Sequence, residues 1–274
     1  MMYKKTLTAT LAVFAAVAVA ACGGGSDAPA AGGSNAGSGA GSAPASTSAA
    51  GAIDPASITD PGTISGTINF GGDAPESQVL QMAADPFCVT AHAGSETMTQ
   101  RLVVNDNGTV RYVFVYVKGG LEGQTFTNPN GVVTLAQTNC MYDPHMIGVQ
   151  TNQTVTIVNN DDTLHNVNAQ PTASGNQGFN FAQPVKGMTN DQTFASAEVM
   201  VPLKCDVHPW MSAYVGVMPH PFFAVTADDG GFTIGGLPAG DYVIGAWHET
   251  LGEQEQSVTV AANGTAEVSF DFGS

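Results

Sequence analysis

The sequence predicts an all-β protein, and three observations predict it. Glycine and proline are frequent, at 33 and 15 of 274 residues, and interrupt the chain at short intervals. Between them lie short runs in which apolar and polar residues alternate, the period of a half-buried strand. Stretches with the 3.6-residue period of an amphipathic helix are few. Many strands joined by many turns fit a sandwich architecture.

The chain starts with segments that build no core. Residues 1–21 read as an export signal: Lys4 and Lys5 give a positive start, and an apolar run to Ala21 follows that is too short to span a bilayer. It ends Val19-Ala20-Ala21-Cys22 with glycines behind, which resembles a bacterial lipobox. That implies cleavage before Cys22 and lipid on its thiol, the chain's single membrane anchor. Residues 22–60 are Gly, Ser, Ala and Pro with almost no large apolar side chain, so they read as a flexible tether. Random-coil scaling gives such a tether a reach of roughly 35 Å.

The strands come next. Residues 63–70 alternate and run into Gly71-Gly72; the piece 61–85 is assigned to a second sandwich completed from the other end of the chain. Within 86–219, residues 102–104 and 110–117 flank the turn Asn105-Asp106-Asn107-Gly108 as a hairpin. Further strands are expected at 132–135, 146–150, 154–158, 197–202 and 213–218; counted together with the hairpin and 63–70 they suit an eight-strand Greek key. Residues 170–195 read as a polar excursion, with Phe179 and Phe181 covering part of one end.

One loop in this part carries chemistry. Cys205-Asp206-Val207-His208-Pro209-Trp210-Met211 places a thiolate, an imidazole and a thioether at Cys-x2-His-x2-Met spacing. Any one of them, alone on a strand-end loop, reads as core filling. Three at this spacing ahead of an alternating strand read as a metal loop. Sulfur and imidazole together suit copper cycling between Cu(I) and Cu(II), whereas a zinc site leaves the thioether out. A second histidine is then needed, and His165, in Asn160-Asp161-Asp162-Thr163-Leu164-His165-Asn166, is the candidate.

The Cys-x-x-His-Pro-aromatic-Met loop resembles the ligand loop of amicyanin, within the plastocyanin-like cupredoxins, and residues 148–166 are similar to the strand and turn carrying that family's first histidine. The resemblance implies one type 1 copper held by His165, Cys205 and His208, with Met211 as a weak axial ligand. It also implies that Asn166 hydrogen-bonds near the Cys205 sulfur, that Pro209 stiffens the turn, that Trp210 packs beside His208, and that the far edge of His208 faces solvent as the electron's port. Residues 220–274, with Asp229-Gly230 before a strand and then Leu237-Pro238-Ala239-Gly240-Asp241-Tyr242, look like part of the transthyretin-like sandwich known as the carboxypeptidase regulatory domain.

Two cysteines remain. In an exported protein Cys88 and Cys140 read as a disulfide. With His92 and His145, at Cys-x3-His and Cys-x4-His spacing, they also make a Cys2His2 zinc set, and His145 is a candidate for a second copper site. Asp and Glu total 23 against 7 Lys and Arg, a net charge of −16. That balance disfavours nucleic acid and favours a basic redox partner such as a c-type cytochrome. Six histidines are too few for the additional coppers of the multicopper enzymes, so no catalytic residue is assigned and an enzyme is not expected. The function expected is single-electron transfer by a membrane-tethered copper protein facing the periplasm or cell exterior. The alternatives are a copper-holding protein, or a surface-binding or structural lipoprotein with a secondary copper site.

Overall fold

A computed structural model describes residues 51–273. The export signal, Cys22 and most of the tether lie outside the described residues. Among the described residues there are four sheets and one short α-helix, Pro86–Ala91. Apart from that helix and a 3-10 turn, the regular structure of the described residues is all-β.

The sheets face one another in pairs, giving two sandwiches. In the loop-bearing sandwich one sheet runs Met146–Gln150, Ser212–Met218, Glu198–Lys204, His165–Ala169, Phe179–Gln183. The facing sheet runs Met141–Asp143, Val133–Thr138, Val155–Asn159, Thr189–Gln192. Alternate residues point inward, and Leu135, Ile157, Val167, Leu203, Val215 and Val217 fill the space between. In the flanking sandwich Gly62–Phe70 lies between Gly231–Leu237, antiparallel, and the parallel pieces Thr265–Glu267 and Phe270–Phe272. The opposing sheet runs Phe223–Val225, Phe114–Gly119, Gly240–His248, Gly252–Val260. Ile64, Ile68, Val115, Phe232, Ile244 and Phe270 meet in its core.

Three sequence expectations change here. Residues 110–117, placed with the metal loop, instead supply Phe114–Gly119 to the flanking sandwich, paired with Gly240–His248. Alternation identifies a strand but not its partner. The 86–219 boundary therefore moves: strands of the loop-bearing sandwich span 133–218, between two parts of its neighbour. Its strand count is nine rather than eight: residues 63–70, 102–104 and 110–117 drop out, Met141–Asp143 and His165–Ala169 enter, and the excursion 170–195 contributes Phe179–Gln183 and Thr189–Gln192. Third, the tether ends before residue 60. Ile53 pairs with the backbone of Thr125 and Thr127, Asp54 caps a 3-10 turn over Pro55–Ser57, and Ile53 and Ile58 pack on the flanking core.

The sandwiches meet through aromatic rings laid on glycine. Gly148 and Gly216 are cross-strand partners, and a Cβ on either would come within 2.8 Å of the Phe114 ring. The absence of side chains there makes the flat seat on which Phe114 packs, with Phe223 against it.

Candidate metal centre

The sequence builds the metal end from one tight loop and one turn. The strand Glu198–Lys204 delivers Cys205 and the strand Ser212–Met218 starts just after Met211. Between them the loop closes on itself: Cys205 N–H donates to the Met211 carbonyl at 3.1 Å, and Met211 N–H to the His208 carbonyl at 2.9 Å. Pro209 needs no partner for an N–H in so short a loop. Across the sheet, the turn into His165 is set by Asn159, whose Nδ2 donates to the Thr163 and Gln183 carbonyls and whose Oδ1 accepts from Asp161 N–H.

Three donor atoms converge. His165 Nδ1 and His208 Nδ1 are 2.9 Å apart, and Cys205 Sγ lies 3.7 Å from His208 Nδ1 and 4.0 Å from His165 Nδ1. All three residues are 1% exposed or less. The point equidistant from these atoms lies about 2.1 Å from each; on zinc, imidazole nitrogen sits at about 2.0–2.1 Å and thiolate at about 2.3 Å. The triangle therefore has the size of a first-row metal's ligand plane, and a thiolate with two imidazoles is the trigonal donor set of blue-copper sites. Met211 is fully buried in the same core.

The groups around the donors set their charge. Burial opposes ionisation of Cys205, but contacts to His165 and His208 outweigh it and bring the thiol down to about 6. Burial likewise opposes protonation of His165; Asp161 and Cys205 overcome it and raise the imidazole to about 8. His208 is raised, against burial, by Cys205 and Asp85. The cluster thus favours a thiolate beside cationic imidazole, and a metal must displace protons to bind.

Each imidazole is held from behind by a carboxylate. His165 Nε2 is 3.0 Å from Asp161 Oδ2, and Asp161 also accepts from the N–H groups of Asn139 and Cys140, at 2.7 Å each. His208 Nε2 is 3.0 Å from Asp85 Oδ2. Such partners fix which ring nitrogen faces a metal. Asn166 Oδ1 accepts from Asp206 N–H at 2.6 Å and Val207 N–H at 3.2 Å and lies 3.4 Å from Cys205 Sγ, tying the two ligand segments together. Trp210 packs 5.1 Å from the His208 ring and donates Nε1–H to the Cys140 carbonyl.

Other expected sites do not form. Cys88 and Cys140 are joined as a disulfide, so neither is free to ligate. His92 Nε2 meets the Asn139 carbonyl at 2.6 Å. His145 is engaged by the Ser212 carbonyl at Nδ1 and Glu249 at Nε2, which excludes it from both the zinc set and a second copper site in this arrangement. The exposed edge expected of His208 is also corrected. Asp85 and Cys88 lie against it, with the disulfide sulfur of Cys88 3.7 Å from Nε2.

Asp85 and Asp161 are partners of the candidate donors that the sequence alone did not mark. Asp85-Pro86 carries the signature of a helix start, an N-cap acid with Pro at the first helical position, and nothing in that signature points to a histidine 123 positions away.

The sequence matches no family model and no curated protein. Among solved structures it is similar in part to a reduced variant of amicyanin, at 22% identity over 32% of this chain and 84% of that one, with a TM-score of 0.29. It is similar to a purple cupredoxin from Nitrosopumilus maritimus at 21% identity, over 31% of this chain and 98% of that one, with a TM-score of 0.27. A copper-containing nitrite reductase from Thermus scotoductus matches at 19% identity, over 37% of this chain but 25% of that one, with a TM-score of 0.29. The amicyanin and purple cupredoxin matches each cover about a third of this chain.

Proposed function

We propose that this protein is a type 1 copper protein that carries single electrons between redox partners. The observation that carries the reading is the buried triangle of Cys205 Sγ, His165 Nδ1 and His208 Nδ1, whose centre is one metal–ligand bond length from every corner. A bound copper ion would supply a one-electron Cu(II)/Cu(I) couple. The chain's part is to keep its donors still. His165 is fixed by Asp161, His208 by Asp85, and Cys205 by a loop pinned at Asn166 and closed by the Met211 backbone. Donors that do not move on electron transfer add little reorganisation to it. Met211, buried in the same core, would offer a further, weak sulfur donor in this reading.

The net charge of −16 supports a basic partner, a c-type cytochrome being one of suitable charge, and argues against nucleic acid. Lipid on Cys22 would hold the protein at a membrane surface. Among the described residues no helix is long and apolar enough to cross one. The covered His208 edge favours one other reading, a protein that holds copper rather than passing electrons.

Loading the full-length protein with Cu(I) anaerobically, then oxidising it, separates these readings. A carrier gives an intense thiolate-to-Cu(II) band, a one-copper EPR signal and a reversible couple. A holder binds Cu(I) and gives no stable oxidised form. A protein that stays colourless under cupric salt and oxidant is not a type 1 copper protein.

A further inference from the structure

His208 faces a carboxylate where an electron port was expected. Asp85 Oδ2 lies 3.0 Å from His208 Nε2 and also accepts from Thr163 Oγ1 at 2.8 Å. Its Oδ1 accepts from Phe87 N–H at 2.7 Å and Cys88 N–H at 3.4 Å, so the carboxylate is held on both oxygens. Thr163 sits two residues before His165, which joins Asp85 to both histidine segments. The helix it caps is stapled by Cys88–Cys140 to the turn whose N–H groups bind Asp161. Among the described residues no lysine or arginine pairs with Asp85; its charged partner is His208.

We propose that Asp85 is a positioning residue for the metal centre: it fixes His208 with Nδ1 toward the metal and lowers the centre's reduction potential. The inference rests on the copper reading of the site. An Nε2–H donated to a carboxylate leaves the lone pair on Nδ1, the atom 3.7 Å from Cys205 Sγ. The charge acts in the same direction. The Cys205 thiolate with Asp85 and Asp161 places three negative charges around the ion. These stabilise a divalent ion more than a monovalent one, all the more in a buried site. Removing one of them favours the reduced state.

Asp85→Asn is the informative variant, because asparagine also caps helices well and retains an acceptor oxygen. In the copper-loaded full-length protein it should keep the blue spectrum while its potential rises. A tenfold change in the relative affinity for the two copper states corresponds to about 59 mV for one electron, and a rise of that size or more is expected. Asp85→Glu should restore most of the parent value. A potential moved by less than about twofold, roughly 18 mV, would make Asp85 a helix cap only and overturn the proposal. A second measurement needs no variant. The Cu(I) form is diamagnetic, so proton–nitrogen NMR should show slowly exchanging Nε2–H signals from both His165 and His208. A His208 Nε2–H that exchanges at the solvent rate overturns the proposal even if Asp85→Asn fails to fold. Failure of the parent protein to form a blue centre sinks the copper reading itself, a different result from a blue parent with an unmoved potential.

Discussion

The two sandwiches are close in size and unlike in what they bury. The flanking one is filled by Ile64, Ile68, Val115, Phe232, Ile244, Phe270 and Phe272, and its buried polar residues are few, among them Thr109, His220 and Thr226. The loop-bearing one buries Gln137, Asn159, Asp161, His165, Asn166, Gln183, Glu198 and His208. Buried polar groups cost stability unless each is satisfied, and buried charges cost more. The flanking sandwich shows that this chain can close a β core with only a few of them. The polar burial next door is therefore not a demand of the fold. Asp161, Asn159 and Asn166 gather around Cys205, His165 and His208 and hold the donor segments, whereas Gln183 and Glu198 brace the strands and loops away from them; a disulfide spanning 52 residues reinforces the donor end.

The contrast can be broken most severely at the metal loop. Cys205→Ser removes the thiolate, and the charge-transfer band should vanish while the circular dichroism of the β-sheets persists; a retained band would remove Cys205 from the site. The opposite perturbation is Phe270→Ala, which empties part of the flanking core. It should cost about 3–5 kcal/mol in denaturant unfolding yet leave the copper spectrum unchanged. A spectral change of the same size as in a site variant would mean that the two regions are not separable.

A smaller effect is expected from the disulfide. Replacing Cys88 and Cys140 by alanine should lower stability by about 2–4 kcal/mol and loosen residues 85–92, measured by hydrogen exchange. Protection left intact there would show that the staple is not what holds the cap. The gentlest test is pH. His165, raised to about 8, must be neutral to ligate, and Cys205, lowered to about 6, must be a thiolate. Copper affinity should therefore be highest above pH 8. It should fall at least tenfold per unit between 8 and 6, where the proton on His165 and then that on His208, whose imidazole is also raised, must be displaced, and more steeply below 6, where the Cys205 proton joins them. A flat profile between pH 6 and 8 would show that His165 does not bind the metal.

The candidate loop was legible in the sequence because its chemistry is local: Cys205, His208 and Met211 lie within seven residues, and Asn159 to Asn166 carries its own turn signals. Asn166 lies against the Cys205 sulfur, as the resemblance implied. What stayed hidden depends on distant pairing. Phe114–Gly119 alternates as any strand does, and only the seat made by Gly148 and Gly216 and the ladder with Gly240–His248 show where it belongs. Residues 179–192 looked like loop because their polar side chains pair with one another, as Gln183 Nε2 does with Asn190 Oδ1. Asp85 read as a helix cap, which it is; its second role appears only when residue 208 is brought beside it.

The central claim is a ligand plane of one sulfur and two imidazole nitrogens that is kept across both oxidation states. Copper X-ray absorption on the loaded protein reads it directly. The expected result is one sulfur and two nitrogen scatterers, all within about 2.0–2.3 Å, with the same donor set after reduction. Absence of a sulfur scatterer at that distance, or loss of a nitrogen on reduction, would contradict it.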